Sequence, residues 1–536
     1  MYLLCVLDVI ISALDIAFLG AMVLVINFYI SNARLPYLSF LPSSLANQNS
    51  ILLAGLFFVL FGIKNIIAYW ISASEYRFIY GVASRLSKRN IYHYLREDYL
   101  KYVNIDSSAH IYKITQQPIE FSTYILTNLQ QIVTQSVLVL FTVIAILIYR
   151  TSLFLLLFLL LTPAVAILGW ILKSRLKRIR QNIKRTSTET LKTLKEALAG
   201  YVESNIYDKD EFFVDRYIKQ QEQLNHNIQT QQILQSLPSR LIEIFAVFGF
   251  FILIVINKWS APGAAVDLLT IGIFVAAAYK IIPGIVKILN SAGQMKTYEF
   301  VLSDLAAIVP KENAAIRSGE HIKSIRLDKI HFGYNSQPIL AGIDLEANSG
   351  DFIGISSGSG RGKTTLIHLL LGFIAQQDGI FSINGHIQTA ADRRNYWNRI
   401  SYIKQQPFLI HDTIARNIAL QEDGFDERKL NDVTAISGLD GLLAQYPEGI
   451  NFLVTENGKN LSGGQRQRLM LARALYHDFD LLILDEPFGE LDQESENLIL
   501  EKLQQIAAQG KMILFITHNK SSLAYCNKII SIDEQA

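Results

Sequence analysis

The sequence predicts an α-helical membrane domain of six spans, with helices that extend into the cytoplasm, followed by an α/β domain built around a glycine-rich loop. Half of the 536 residues are hydrophobic, and the long apolar stretches lie before residue 300. A helix of about 20 apolar residues crosses the roughly 30 Å hydrocarbon layer of a membrane. After residue 300, the buried-strand pattern of residues 352–355 leads into a glycine-rich loop that is followed by a helical pattern. A chain of this length is also too long for a single core.

Six apolar segments are predicted to span the membrane. In order, the predicted spans are residues 3–30, 51–73, 122–149, 152–172, 238–257 and 267–288. The first segment has no basic residues ahead of it, contains Asp8 and Asp15, and is too long for the apolar core of a signal peptide. We therefore interpret it as an uncleaved membrane helix.

The positions of lysine and arginine predict the orientation, because these residues accumulate in cytoplasmic segments. They cluster after the second and fourth spans, within residues 74–121 and 173–237. The opposite connections carry little beyond Arg34, Arg150 and Lys258. We expect the two basic stretches to be helices continued into the cytoplasm, and both chain termini to lie on that side.

A linker is predicted at residues 309–323, where Pro310 is surrounded by small and polar residues. It separates a membrane domain at residues 1–308 from an α/β domain at residues 324–536.

The net charge and the positions of the cysteines argue against a nucleic-acid-binding protein, a disulfide framework and a metal site. The net charge of +2 does not provide the clustered basic surface that nucleic acids require, so no nucleic-acid partner is expected. Cys5 and Cys526 lie at opposite ends of the chain, which predicts neither a disulfide framework nor a metal site.

The glycine-rich loop has the residue types that bind the phosphates of ATP. It consists of Ser357, Gly358, Ser359, Gly360, Arg361, Gly362, Lys363, Thr364 and Thr365. In such a loop, backbone N–H groups surround the phosphates, the Lys363 ammonium contacts the terminal phosphates, and the Thr364 hydroxyl contacts Mg²⁺.

A second glycine-rich motif follows Leu461 and consists of Ser462, Gly463, Gly464 and Gln465. Its glycines begin a helix, and a helix N-terminus also binds anions. One nucleotide cannot occupy both motifs of one subunit. The pair resembles the ATP-binding cassette (ABC) family, in which the two motifs face each other across a dimer. The resemblance covers residues 325–533 and includes seven motifs in the family's order.

Two carboxylates follow the apolar strand of residues 480–484. An attacking water needs a positioned base beside the γ-phosphate, which predicts that role for Glu486. The resemblance implies that Asp485 holds magnesium through water. It also implies that Gln405 reaches Mg²⁺ or the attacking water.

The resemblance assigns two further contacts with the nucleotide. His518 corresponds to the switch histidine that contacts the γ-phosphate. Tyr334 corresponds to the aromatic residue that stacks on adenine.

The sequence departs from the family pattern at three places. Ser357 stands where the phosphate loop begins with glycine, Gly489 and Glu490 replace Ser-Ala in the D-loop, and Thr455 replaces a glycine in the x-loop. Loop geometry and communication between the two nucleotide sites are therefore expected to differ in detail.

The layout of spans and cassette resembles ABC exporters, which implies ATP-driven transport by alternating access in a dimer. The partner is a second copy of the chain or a homologous half-transporter. Short coupling helices are expected near residues 104–109 and 200–207.

Charged residues inside the spans indicate function, because their burial in a membrane is costly. Lys280 and Lys287 lie on one helix face and are candidates to receive an anionic head group, unless they snorkel to the interface. Asp8 and Asp15 share a face of the first span, with Lys64 and Glu243 as possible partners.

The substrate expected from the sequence is an amphipathic anion. Residues 12–15, 23–29 and 94–99 are similar to those of bacterial flippases of lipid-linked oligosaccharides, which implies a lipid-linked saccharide and the bacterial inner membrane. Two alternatives remain open. The chain could export peptides or drugs, or it could be an ATP-gated channel or a membrane ATPase that moves nothing.

Overall fold

The computed structural model describes most of the chain. It covers residues 2–30, 51–97, 99–104, 107–149, 162–163, 167, 179, 181–260, 268–307, 320–334, 337–356, 358 and 361–532. Most of the predicted fourth span and linker lie outside these residues, as do Ser357, Ser359, Gly360 and the side chain of Lys280.

The chain folds into two compact units. The first comprises residues 1–97 and 103–310, and the second comprises residues 98–102 and 311–536. The first unit is helical and the second is α/β, so the predicted fold class is confirmed.

The first unit consists of long helices. Its elements are α1 (Tyr2–Ile30), α2 (Leu52–Leu95), α4 (Ser107–Glu120), the π-helical turn Phe121–Leu126, α5 (Thr127–Tyr149), α6 (181–199), α7 (Tyr201–Ile206), α8 (Asp210–Ser260), α9 (Leu268–Thr297) and α10 (Glu299–Ala307). The short helix α3 (Tyr99–Asn104) precedes α4. Within the described residues, Leu52–Leu95 and the continuous helix Ser107–Ile148 are long and apolar enough to cross a membrane. The assignment of six spans stays a prediction.

The longest helix supports the expected extension beyond the membrane. Helix α8 has 51 residues, which corresponds to about 75 Å at 1.5 Å per residue. That length exceeds the roughly 30 Å of a hydrocarbon layer. Its apolar C-terminal part is the predicted fifth span, and its N-terminal part is polar.

One of the two short helices lies where the sequence predicts it. Helix α7 falls within residues 200–207. Gly200 precedes it because a Cβ there would lie 2.8 Å from the Phe213 ring of α8. The other short helix is α3, which meets the expected range of 104–109 only at Asn104. From Ser107 onward the chain is already part of the long helix α4.

Several charged residues of the predicted spans have partners in the structure. Lys64 is buried and forms an ion pair with Asp15, as the sequence suggests. Glu243 instead pairs with Arg240 of its own helix, at 3.7 Å. Lys287 is exposed.

The second unit contains two main sheets. Strands β2 (Gln337–Asn348), β1 (Ser324–Tyr334), β4 (Asp378–Ile383) and β5 (His386–Ile387) form an antiparallel sheet in that order. Strands β11 (Lys528–Ser531), β3 (Phe352–Ser356), β10 (Met512–Ile516), β9 (Leu481–Asp485) and β6 (Ile400–Ile403) form a parallel sheet in that order. All residues of β9 and β10 are buried, as expected for a parallel sheet covered on both faces.

Helices and a short third strand pair complete the unit. They are α11 (Lys363–Leu370), α12 (Ala390–Arg393), β7 (Asp412–Thr413), α13 (Ile414–Ala419), α14 (Glu427–Ser437), α15 (Asp440–Leu443), β8 (Leu453–Val454), α16 (Gly463–Tyr476) and α17 (Gln493–Ala508).

The parallel sheet brings distant motifs to one edge. The carboxyl ends of β3, β6, β9 and β10 point the same way, because these strands pair in parallel. Ligands of open α/β sheets bind at this edge. The glycine-rich loop and the segments that carry Gln405, Glu486 and His518 all leave the sheet there.

A buried arginine connects α12 to the rest of the cassette. Arg393 is only 1% exposed. Its guanidinium donates to the Leu369 carbonyl and to Gln376 Oε1, and it lies 4.3 Å from the centroid of the Phe381 ring. Burial lowers the pKa of Arg393 to about 10, so the group stays charged at neutral pH.

We expect Arg393→Met to destabilise the protein. The carbonyl of Leu369 and the amide of Gln376 would lose their donors inside the core, at a cost of roughly 1–3 kcal/mol for each unsatisfied group. The apparent unfolding temperature of the full chain in detergent measures the effect. The matched change Arg326→Met, at an exposed arginine of β1, should leave that temperature nearly unchanged. Equal shifts for both variants would contradict this account.

Candidate nucleotide-binding site

The phosphate loop joins β3 to α11. Gly362 has a φ of +89°, and a Cβ at this position would lie 2.8 Å from Ile339 Cγ2. Only glycine fits both conditions. The helix begins with Lys363, which is 8% exposed.

The other described residues of the loop differ in exposure. Gly358, Arg361 and Thr364 are exposed, whereas Thr365 is buried. The effect expected from Ser357 stays a prediction, because this residue lies outside the described part.

Three residues predicted from separate motifs converge on the carboxylate of Glu486. Lys363 Nζ donates to Glu486 Oε1 at 2.8 Å, and His518 Nε2 lies 2.7 Å from the same oxygen. Gln405 Nε2 donates to Glu486 Oε2 at 2.8 Å. Lys363 is also hydrogen-bonded to His518 Nε2. The structure therefore brings Gln405, Glu486 and His518 together at the phosphate-binding lysine.

The backbone of Glu486 is held in a strained conformation. Its φ is +49°, in the left-handed region that a residue with a Cβ adopts at a cost of roughly 1–3 kcal/mol. Its N–H donates to the carbonyl of Ile516 at 3.0 Å, which anchors it to β10. Such strain clusters at functional sites. No pattern in the sequence predicts it.

The carboxylates of Asp485, the last residue of β9, and of Glu486, which follows it, have opposite pKa shifts. Burial, followed by the charge of Glu486, raises the pKa of Asp485. Burial also acts on Glu486, but there it is outweighed by the hydrogen bond and charge of Lys363, and the net effect lowers the pKa of Glu486. Glu486 is therefore ionised and available as a base at neutral pH.

Three side chains offer the oxygen ligands that Mg²⁺ prefers. Thr364 presents an exposed hydroxyl at the start of α11. Gln405 donates to Glu486 through its nitrogen, which leaves its amide oxygen for a ligand. Asp485 is 5% exposed and carries a carboxylate at the end of β9. The chemistry of this donor set fits a magnesium ion, whose binding stays a prediction.

Tyr334 ends β1 with an exposed ring. The ring is packed edge to face on Phe332, with centroids 4.9 Å apart, and the residue is 40% exposed. One face can accept another aromatic ring. Stacking on adenine stays a prediction.

The second glycine-rich motif begins α16, as predicted. Ser462 is the N-cap, and its hydroxyl accepts from the backbone N–H of Gln465 while Gln465 Oε1 accepts from the Ser462 N–H at 2.8 Å. This capping box fixes the first turn. The glycines at 463 and 464 add no side chain there, so the first N–H groups stay accessible to an anion.

The variant D-loop packs directly on this helix N-terminus. A Cβ on Gly463 would lie 1.2 Å from Glu490 Oε2. The same carboxylate oxygen is 3.6 Å from Arg466 Nη2, and the N–H of Glu490 donates to Gln467 Oε1 at 3.0 Å. The chain's own carboxylate thus lies at the anion-binding end of α16. The sequence shows Glu490 as a departure from the family but does not predict this contact.

Residues 98–102 belong to the second unit. The Tyr99 ring stacks on Phe373 with centroids 4.9 Å apart, and its hydroxyl lies 3.3 Å from His368 Nε2. Burial, followed by the charge of Lys404, lowers the pKa of His368, so this histidine is neutral at physiological pH. The sequence reveals none of these contacts, because Tyr99 lies more than 260 residues from both partners.

Comparison with known proteins supports the assignment of the second unit as a nucleotide-binding domain. Residues 340–489 match the family model for the ABC transporter. The chain is 26% identical over 405 residues, or 73% of its length, to the ATP-dependent lipid A-core flippase of Cupriavidus pinatubonensis. It is 36% identical over 39% of its length to a protein of the same name from Saccharophagus degradans. It is also 36% identical over 39% of its length to a putative export ATP-binding/permease protein of Rickettsia felis. These alignments span 68%, 36% and 37% of the respective relatives.

A solved structure has the same fold over nearly the whole chain. The structure of a bacterial Atm1-family ABC exporter with ATP bound matches 99% of this chain and 94% of its own, with a TM-score of 0.78 and 19% identity. With apolar helices of membrane-spanning length and this fold, the chain is a membrane protein. The matched domain binds ATP. The second unit therefore contains an ABC transporter domain, and the chain has the fold of an ABC exporter, which implies ATP hydrolysis coupled to transport.

Proposed function

We propose that two subunits, each with this fold, use ATP to flip an amphipathic and anionic lipid-linked saccharide across the bacterial inner membrane. The observation that carries the proposal is the contact of Lys363, Gln405 and His518 with Glu486. The same chain also carries the second glycine-rich motif at the start of α16. Both halves of a sandwiched nucleotide site are present. Each subunit contributes one half to either ATP.

Hydrolysis at this site follows from the placement of Glu486. A water beside the γ-phosphate attacks phosphorus, its proton passes to the Glu486 carboxylate, and the bond to the bridging oxygen of ADP breaks. Gln405 and His518 hold the carboxylate from two sides. Mg²⁺, held by Thr364, Gln405 and Asp485, would neutralise the phosphate charge.

Two internal contacts compete with the nucleotide. Glu486 neutralises Lys363 at 2.8 Å, and the terminal phosphates require the same ammonium group. Glu490 lies at the N-terminus of α16, where the γ-phosphate bound to the other subunit is expected. ATP must displace the second carboxylate before the two cassettes can close.

Residues 98–102 provide a path for coupling. They pack on His368 and Phe373 of the cassette, and the chain on either side of them belongs to the helical unit. His368 is part of α11, the helix that starts with the phosphate-binding Lys363. A shift of α11 on nucleotide binding therefore reaches the helical unit through Tyr99.

The dimer and its location are parts of the proposal. Every catalytic position is filled, which favours a homodimer with two competent sites, and a homologous half-transporter is the alternative partner. The clusters of basic residues support a cytoplasmic location of both termini and of the cassettes.

Lipid-linked saccharides are favoured by the names of two relatives, which are lipid A-core flippases. Export of peptides or drugs remains the second candidate. The complete set of contacts around Glu486 disfavours a gated channel, which tolerates a degraded hydrolysis site.

We expect Glu486→Gln to reduce ATP turnover by about 10²–10⁴-fold, the usual contribution of a general base. ATP binding should persist, because Lys363 keeps its ammonium group. Steady-state phosphate release and binding of a fluorescent ATP analogue measure the two properties. Glu501→Gln, at an exposed carboxylate of α17, is the matched control and should behave as the unmodified protein. Unchanged turnover in Glu486→Gln would show that another group is the base.

Glu490→Ala should lower the ATP concentration needed for half-maximal hydrolysis. Removing a carboxylate from the N-terminus of α16 relieves repulsion of the γ-phosphate, and charges near a helix end contribute energies equivalent to about a two- to fivefold change in affinity. Glu490→Gln, which keeps the size and removes the charge, should act in the same direction. Glu501→Ala serves as the control. A half-maximal concentration that rises or stays constant in both Glu490 variants would exclude competition by this carboxylate.

Transport itself can be tested in proteoliposomes. We expect ATP-dependent movement of a labelled lipid-linked saccharide, lost in Lys363→Ala because the phosphates lose their ammonium contact. Parallel vesicles carry a labelled peptide or a fluorescent drug, and a planar bilayer reports ionic current. Movement of peptide or drug with no movement of saccharide would support the second candidate, and ATP-gated current would indicate a channel.

A further inference from the structure

A pair of carboxyl groups lies between three helices of the first unit, apart from the nucleotide site. Asp8 is on α1 and Glu75 is on α2, and the side-chain amide of one residue, Gln130, donates to both carboxyl groups. Glu75 is 5% exposed, and Asp8 is partly buried. Burying an ionised carboxyl group is costly and a second carboxyl group nearby adds to that cost, which calls for a physical explanation.

Helix α5 orients the pair through neutral donors. Gln130 Nε2 donates to Asp8 Oδ2 at 3.1 Å and also to Glu75 Oε2. Thr134 Oγ1 donates to Asp8 Oδ2 at 2.7 Å. These bonds satisfy one oxygen of each carboxyl group. The other oxygen of Glu75, Oε1, is buried and has no hydrogen-bond donor among the described residues.

Among the described residues, no lysine, arginine or histidine forms an ion pair with Asp8 or Glu75. On α1 the second carboxylate is Asp15, seven residues and therefore about 10 Å along the helix from Asp8. It forms its ion pair with Lys64 of α2. Helix α5 contributes only the neutral Gln130 and Thr134. Two adjacent carboxylates without a cation cannot both be ionised.

We propose that Asp8 and Glu75 bind one proton between them and form a proton-binding site in the helical unit. Because Gln130 already donates to Glu75 Oε2, the unpartnered Oε1 of Glu75 is the available position for the proton. The bound proton provides the missing donor for the unpartnered oxygen. One negative charge then remains, stabilised by the bonds from α5.

A metal ion fits the Asp8–Glu75 pair less well than a proton does. Among the described residues there is no group of three or more histidine, cysteine, aspartate or glutamate side chains that could hold one.

The site connects helix packing to pH. With the proton bound, Asp8 and Glu75 join α1 to α2, and without it two like charges meet at the same contact. Raising the pH therefore weakens this contact, and separating the helices releases the proton. This inference does not depend on the identity of the transported molecule.

Infrared difference spectroscopy of the full chain in lipid vesicles tests the proposal directly. The C=O stretch of a protonated carboxyl group is separate from that of a carboxylate. We expect this band at neutral pH in the unmodified protein and its loss as pH rises, with one proton released per subunit. Asp8→Asn and Glu75→Gln should each lose the same part of the band, because each leaves one carboxylate that keeps its amide donor from Gln130 and no longer faces a second carboxylate. Glu243→Gln, at an exposed carboxylate of α8, should retain it.

Three results would overturn the proposal. The band could be absent from the unmodified protein, or it could persist unchanged in both variants. It could also appear only when sodium is replaced by a large organic cation, which would mean that the pair holds a metal cation. The pH titration of the unmodified protein requires no variant, so the test stands even where a substitution prevents folding.

Discussion

The ion pair between Lys363 and Glu486 is the contact around which the ATPase domain is organised. It joins the phosphate loop to the end of β9, and it exists because β3, β10 and β9 are parallel neighbours whose carboxyl ends meet at one edge. Gln405 and His518 reach the same carboxylate from the ends of β6 and β10. The strained backbone of Glu486 is maintained by its bond to Ile516. The sheet thus provides the rigidity that the site needs.

The N-terminus of α16 shows how one feature serves both folding and function. Its capping box uses the side chains of Ser462 and Gln465, and its two glycines leave space that Glu490 and Leu491 approach closely. A larger residue at 463 would collide with the D-loop. The same absence of a side chain is what allows a phosphate to approach the helix N-terminus. Placing a glutamate there makes the D-loop a competitor for that position.

The helical unit handles its buried charges in two different ways. Asp15 and Lys64 neutralise each other, and the pair is the usual solution inside a low-dielectric region. Asp8 and Glu75 have the same sign, so they need a bound proton and neutral donors from α5. Both arrangements connect α1 to α2, seven residues apart along α1. Of these two contacts, the carboxyl pair is the one that we propose to change with pH.

The sequence by itself determined the order of the two domains. It also determined the strand-loop-helix context of Lys363 and the position of the two carboxylates at the end of β9. All three follow from local patterns of periodicity and motif. It also indicated Asp15 and Lys64 as possible partners. The convergence of Gln405, Glu486 and His518 was expected from family resemblance, and the parallel order of the strands explains it. Only the tertiary structure decided that Glu490 lies on Gly463, that Tyr99 packs on His368, and that Asp8 meets Glu75. Each of these contacts joins residues far apart in the chain or side chains with several possible rotamers, and no local pattern encodes such a distance.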